Sequence, residues 1–254
     1  MSAAATVRVE HDGAVARIVL DRPDRHNAQT PGMWRELREA TDALVADPAV
    51  RVAVLTGDGP SFSSGLDLDE RRPGGLLHRI ATTDPGEGLA VTEQAQADFR
   101  WLSRAPFPVV AAVHGAALGA GLQLALSCDV RIVAEDAVLA VAELGLGAVP
   151  DLGATTDLPR LVGLERALDL ILTARRFSGT EAVELGLALR AVPAADLEAE
   201  ALAYAERLAA APRLALARAK EATREPDPAR SLRLAATAQV ECVRAMLSSP
   251  TTRP

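Results

Sequence analysis

Ser61-Phe62-Ser63-Ser64-Gly65-Leu66-Asp67-Leu68 and His114-Gly115-Ala116-Ala117-Leu118-Gly119-Ala120-Gly121-Leu122-Gln123-Leu124 are the two stretches whose reading decides the fold. Each follows a run rich in β-branched residues, Val52-Ala53-Val54-Leu55-Thr56 and Val109-Val110-Ala111-Ala112-Val113. A buried strand ending in a glycine-containing bend leaves backbone N–H groups free of ladder partners, and these can point into a cavity. Two such donors converging on one point make an oxyanion hole.

Working outward, residues 7–20 read as two short strands around the Asp12-Gly13 turn. Thr30-Pro31 has N-cap and first-turn chemistry, and Met33, Trp34, Leu37, Leu44 and Val45 recur at helical spacing, predicting a helix over 31–46. The segment Arg71 to Glu87, with Pro73, Gly74, Gly75, Pro85 and Gly86, reads as a mobile loop over the site. A helical pattern follows over 89–103, then the strand at Val109, the second bend and a buried helix to about Ser127. Strands at Val130–Val133 and Val138–Val141 lead into a loop through Asp151. Ser178-Gly179-Thr180-Glu181 matches a capping box, and Gly186 is placed to end that helix. Beyond Pro193 the strands stop and two or three helices account for the rest, so the class is an α/β core with a helical appendage.

In this order the two bends resemble the oxyanion segments of the crotonase family, the enoyl-CoA hydratase/isomerase superfamily. The likeness runs from Arg17 to about Ala191 and includes Asp21-Arg22-Pro23-Asp24-Arg25-His26-Asn27-Ala28 and Val149-Pro150-Asp151-Leu152-Gly153. It implies a crotonase-like spiral of ββα turns over residues 1–193. A C-terminal helical oligomerisation region over 194–254 would build a homotrimer or a dimer of trimers. The implied partner is an acyl-CoA thioester, with no cofactor beyond the coenzyme A that the substrate itself carries.

Carried over by position, the resemblance makes Leu66 N–H and Ala120 N–H the donors that hold the thioester carbonyl as it becomes an enolate. Backbone donors tolerate side-chain change, so leucine and alanine do not spoil the hole. Hydratases of the family place a Glu where this chain has Gln123, and a neutral amide is no general base near pH 7, although it can hold a water or a ligand oxygen. The second hydratase position matches Glu143, which keeps its carboxylate. Asp151 stands where typical hydratases have glycine and some isomerases of the family have a catalytic aspartate. The pair Glu143 and Asp151 suits a 1,3-proton shift, and Gln123 puts hydration in doubt. A catalytically silent acyl-CoA-binding protein is the rival expectation, and a purely structural oligomerisation module a remoter one. For coenzyme A, Arg25, His26 and Ala28 match one contact segment, and Ser64, Leu66, Asp67 and Leu68 match the backbone beside adenine and pantetheine. Lys220 could reach the CoA phosphates, although a lone lysine on a terminal helix is usually solvated. The segment Ser248-Ser249-Pro250-Thr251-Thr252-Arg253-Pro254 departs from the family's usual ending, which bears on any part of the CoA site supplied by a neighbour.

Composition narrows the classes. The 254 residues, 49% hydrophobic and 24% charged, are those of a globular protein. A net charge of −7, with Lys220 the single lysine and no basic run beyond two residues, argues against nucleic acid as partner. Cys128 and Cys242 form no disulfide framework, and no metal-ligand spacing is present. The N-terminus has no basic-then-apolar order, which reads as cytoplasmic. The apolar stretch Pro108 to Leu126 approaches membrane-spanning length, but His114, Gln123 and the glycine bend make it a buried strand and helix. The second bend lacks dinucleotide-motif and phosphate-loop spacing, and Ser63 and Ser64 lack the nucleophile elbow.

Overall fold

The structure is a computed structural model that describes residues 5–248; the remainder of the divergent C-terminal segment lies outside them. Strands β1 (Val7–Asp12) and β2 (Val15–Leu20) form the expected hairpin, and α1 (Pro31–Ala46) follows. The Thr30 hydroxyl caps α1 by accepting the Met33 N–H at 3.2 Å, with Pro31 in the first turn, the chemistry read from the sequence. Met33, Trp34, Leu37 and Leu44 are buried as the spacing requires, whereas Val45 is exposed, one position past the apolar stripe.

Strand β3 (Val52–Gly57) leads through the first bend to α2 (Leu76–Thr82) and α3 (Pro85–Phe99). The loop expected over 71–87 is therefore largely helical. Its breakers are helix starts: Asp84 accepts N–H bonds from Gly86 and Glu87 as the N-cap, and Pro85 occupies the first turn, where a missing N–H costs nothing. Strand β4 (Val109–Val113), β5 (Ala116–Leu118) and α4 (Ala120–Ser127) come next, then β6 (Val130–Ala134) and β7 (Val138–Ala140). The second bend thus contains a short strand, β5, that was not expected. Two helices, α5 (Ala154–Val162) and α6 (Leu164–Thr173), precede β8 (Phe177–Ser178), α7 (Gly179–Glu184) and β9 (Arg190–Val192). Ser178 caps α7 at Glu181 N–H, but the Glu181 carboxylate pairs with Arg175 instead of closing the box. Helices α8 (Leu197–Ala209), α9 (Arg213–Arg224) and α10 (Pro228–Ser248) are the last of the described elements.

One sheet runs β1-β2-β3-β4-β6-β9, antiparallel only at β1–β2, and a second runs β5-β7-β8. The chain repeatedly crosses from the first sheet to the second and then into a helix, β4-β5-α4 and β6-β7-α5. This is a spiral of ββα turns. The central strands β3 and β4 are almost wholly apolar, Thr56 of β3 excepted, because helices cover them, as parallel sheets require. On α8, Leu197, Ala201, Ala205 and Ala209 repeat every fourth residue and are buried against β2, β3, β4 and β6. Cys128 and Cys242 are free thiols, and burial pushes Cys128 up to about 12. No helix among the described residues is long and apolar enough to cross a membrane.

Candidate active site

The two bends lie side by side. Ser63 bridges Ala117 of β5 and Leu66 bridges Gln29, both in parallel. Gln29 N–H donates to Gly65 O at 2.7 Å, and Asp67 N–H donates to Gln29 O at 2.8 Å. A trans peptide carries its C=O and N–H on opposite sides, so turning the Gly65 carbonyl to Gln29 aims the Leu66 N–H away from it. Likewise, the Gly119 carbonyl accepts Gln123 N–H at 3.0 Å in the first turn of α4, which turns Ala120 N–H out of the helix start. Among the described residues neither N–H has an intramolecular acceptor.

Glycine makes the approach possible. A methyl on Gly65 (φ +99°) would stand 2.6 Å from Leu118 O and 3.5 Å from Ala120 N. Beneath the bends runs a buried polar network that the sequence reading did not nominate. Trp34 Nε1–H donates to Gln29 Oε1 at 2.9 Å, and Gln29 Nε2 donates to Ser63 Oγ at 3.0 Å and to Ala120 O at 3.3 Å. Ser63 Oγ–H donates to Asn27 O at 2.8 Å. One amide thus ties both bends together. No local pattern marks Gln29 or Ser63, because their partners lie in distant parts of the chain.

Glu143 opens a tight turn over 143–146 after β7 and is half-buried. Its carboxylate lies against Gly119: a methyl there would be 3.0 Å from Oε1 and 3.7 Å from Oε2. Oε1 accepts from Gln123 Nε2 at 2.7 Å, whereas Oε2 is buried and unpartnered. Burial pushes the Glu143 carboxyl above the ordinary range and the Asp151 charge adds to this, against its own N–H and the Gln123 amide, which act downward. Gln123 itself is buried, and its Oε1 accepts from Ala154 N–H at 3.0 Å. Both ends of that amide are thus engaged by protein groups, the Glu143 carboxylate and the Ala154 N–H.

Asp151 is exposed, with Gln96 Nε2 3.4 Å from its Oδ2. One turn along α3, past its end, Arg100 grips the same segment through Leu152 O at 3.4 Å and Asp157 at 3.0 and 3.3 Å. Gln96 and Arg100 belong to the pattern read only as a helix, and nothing local marks them.

The segment matched to CoA is built around Asn27. Its Oδ1 accepts Arg22 N–H at 2.8 Å and its Nδ2 donates to Asp58 O at 2.9 Å and Ser61 O at 2.7 Å, holding His26 and Asn27 at φ +49° and +52°. Arg22 donates to Ala28 O and pairs with buried Asp67 at 3.0 Å. Burial acts to raise Asp67, but the Asp69 N–H and the Arg22 and Arg25 guanidiniums outweigh it and hold the carboxyl below its ordinary value. Ala28 is buried and Leu66 half-buried; His26, Ser64 and Leu68 are exposed, with His26 Nδ1 3.0 Å from Ser61 Oγ. Arg25 is exposed yet engaged, 2.7 Å from Asp69 and 3.6 Å from Asp67. Lys220 is not a solvated lysine: its amine donates to Phe107 O at 2.9 Å and pairs with Asp129 at 2.8 Å, and that carboxylate also holds Val109 N–H and Arg224. Its ammonium is committed to docking α9 on the core.

A carboxylate with one tethered and one free oxygen, beside two unused N–H donors, can move a proton at a carbon next to a carbonyl. The family model described as enoyl-CoA hydratase/isomerase matches residues 10–253. A "putative enoyl-CoA hydratase" from Thermobifida fusca YX solved in complex with CoA is 41% identical, with 96% of this chain and 95% of that one covered at a TM-score of 0.85. The "Probable enoyl-CoA hydratase, mitochondrial" of Dictyostelium discoideum is 33% identical over 217 residues, 85% of this chain and 74% of that protein. The "Delta(3,5)-Delta(2,4)-dienoyl-CoA isomerase, peroxisomal" of Arabidopsis thaliana is 36% identical over 190 residues, 71% of this chain and 66% of that protein.

Proposed function

The chain belongs to the enoyl-CoA hydratase/isomerase family, and from that premise we propose that it moves the double bond of an enoyl-CoA thioester and does not add water across it. The observation that carries this reading is the Glu143 carboxylate, whose Oε2 is buried and free, paired with an amide at the other hydratase position. Leu66 N–H and Ala120 N–H hold the thioester oxygen. Glu143 Oε2 takes a proton from C2 of a 3-enoyl ester, the C–H electron pair moves into the conjugated system, and negative charge collects on the held oxygen. Return of a proton at C4, from Asp151 or from Glu143 itself, closes a 1,3-shift that neither consumes nor releases water. Gln123 favours one rival, a binder without turnover.

A panel of 2-enoyl, 3-enoyl and dienoyl-CoA esters, followed by absorbance and mass, separates these readings. Double-bond migration at constant mass is expected. A gain of one water in the product overturns the isomerase reading, and tight binding with no product from any ester supports the silent binder.

We also propose that the chain assembles as a closed ring, a homotrimer or a dimer of trimers. Two separate faces are apolar and exposed, Leu164, Leu168 and Leu172 on α6 and Leu232, Val240, Met246 and Leu247 on α10. Two different faces on each copy suit a head-to-tail contact, which closes into a ring when its rotation divides the circle. Native mass spectrometry is expected to read three or six copies, and a monomer at micromolar concentration would sink the idea.

A further inference from the structure

We propose that Gln123 is a positioning residue that ties up one oxygen of Glu143, favours the ionised form of that carboxylate, and leaves a single oxygen to carry the proton. The inference deepens the reading of Glu143 as the base and rests on it.

The orientation of the amide follows from its partners. The Ala154 N–H can only donate, so the Gln123 atom 3.0 Å from it is the carbonyl oxygen. The NH2 group is thereby forced toward Glu143 Oε1 at 2.7 Å. Gln123 is 1% exposed, so neither bond competes with solvent. Ala154 is the first residue of α5, where an N–H has no partner within the helix, and Gly153 before it offers no side-chain cap. The glutamine therefore supplies the missing cap from across the fold. One side chain links α4, the turn that carries Glu143, and the start of the helix that follows Asp151.

The chemical consequence is directional. An N–H donor favours the ionised form of the carboxylate it touches, which counters the burial of Glu143. The other titratable group whose charge reaches Glu143 is Asp151, which works against ionisation. A glutamate at position 123 would keep an acceptor for Ala154 N–H, but would set two carboxylates at the 2.7 Å contact. Such a pair shares one proton and titrates in two separated steps.

The test titrates the carboxyl of Glu143 by infrared difference spectroscopy, its band identified by its loss in Glu143→Gln, with pH profiles of kcat and KM for the best ester in parallel. In Gln123→Glu and in Gln123→Met the Glu143 transition is expected to move up by at least one pH unit. The acidic limb of kcat should follow, with KM within about threefold. Gln123→Met alone should also lose thermal stability, because Ala154 N–H is left without a partner. A merely structural role predicts otherwise: Gln123→Glu, which retains the cap, would titrate like the wild type, and that result overturns the proposal. The infrared readout needs no turnover. A shifted titration in a protein that converts no ester would therefore sink the isomerase reading and leave the positioning role standing.

Discussion

Glu143→Gln is expected to lower kcat on a 3-enoyl-CoA ester by about 10³-fold, within the range that general acid–base groups supply, while calorimetric affinity for the ester changes by only a few-fold. The two readouts separate because the amide keeps the shape of the carboxylate, and the Leu66 and Ala120 N–H donors are untouched. The glutamine can still accept from Gln123 Nε2 through its own carbonyl oxygen. What it loses is the free basic atom, Oε2. In the wild type, kcat should rise with pH through the Glu143 transition, because only the ionised form takes a proton. That transition lies above the ordinary carboxylate range for the reasons of burial and charge given above.

The same shift has a sign in stability. A carboxyl whose folded value is raised contributes stability below its unfolded value, and loses it as pH rises through the folded value. Wherever Glu143 is ionised, its buried charge is thus a cost to the fold, which Gln at this position removes. Above the Glu143 transition the Tm of Glu143→Gln should equal or exceed that of the wild type, and the relative gain should vanish below the ordinary carboxylate range. Turnover retained within tenfold would reject Glu143 as the base, and a lowered Tm would show that the variant acts by unfolding.

What the sequence revealed and concealed follows the range of the interactions. Strands β3 and β4 were legible because a covered parallel strand reads as a nearly continuous apolar run, and the bends after them because glycine marks backbone that a side chain would block. Helix α1 was legible because its cap, Thr30, is local. The start of α3 was misread for a related reason. Asp84-Pro85-Gly86 is both a turn and a helix N-terminus, and only packing decides between them. The parts of the site that couple distant residues were invisible. The bond from Gln123 to Ala154 spans 31 positions, Arg22 to Asp67 spans 45, and Arg100 to Asp157 spans 57. No periodicity encodes such pairs. Position 123 was read as a lost carboxylate; its actual service, as a cap and a tether, depends on which atoms the fold brings to each end of the amide.

Gly121→Ala is expected to cost at least about 100-fold in kcat, the loss that a displacement of roughly 1 Å produces in a preorganised site. Gly121 lies in the first turn of α4 without a left-handed φ, so alanine suits its backbone and even improves helix propensity by about 1 kcal/mol. The penalty is purely steric. The new methyl would stand 2.2 Å from Ser63 O and 3.0 Å from Ser63 C and Cβ. Ser63 cannot retreat easily, since its N–H is bonded to Ala116 O, its carbonyl to Leu118 N–H and its hydroxyl to Asn27 O. The clash is relieved by parting the two bends, which separates Leu66 N–H from Ala120 N–H and strains the Gln29 bond between them. Overpacking of this kind costs about 1–3 kcal/mol of stability, so the variant should fold with a lowered Tm. Gly145→Ala is the matched control, because a methyl there meets nothing within 4 Å. Wild-type kcat in a folded Gly121→Ala protein would mean that the distance between the two donors does not set the rate, and the assignment of Leu66 and Ala120 as the oxygen-holding pair would fall with it.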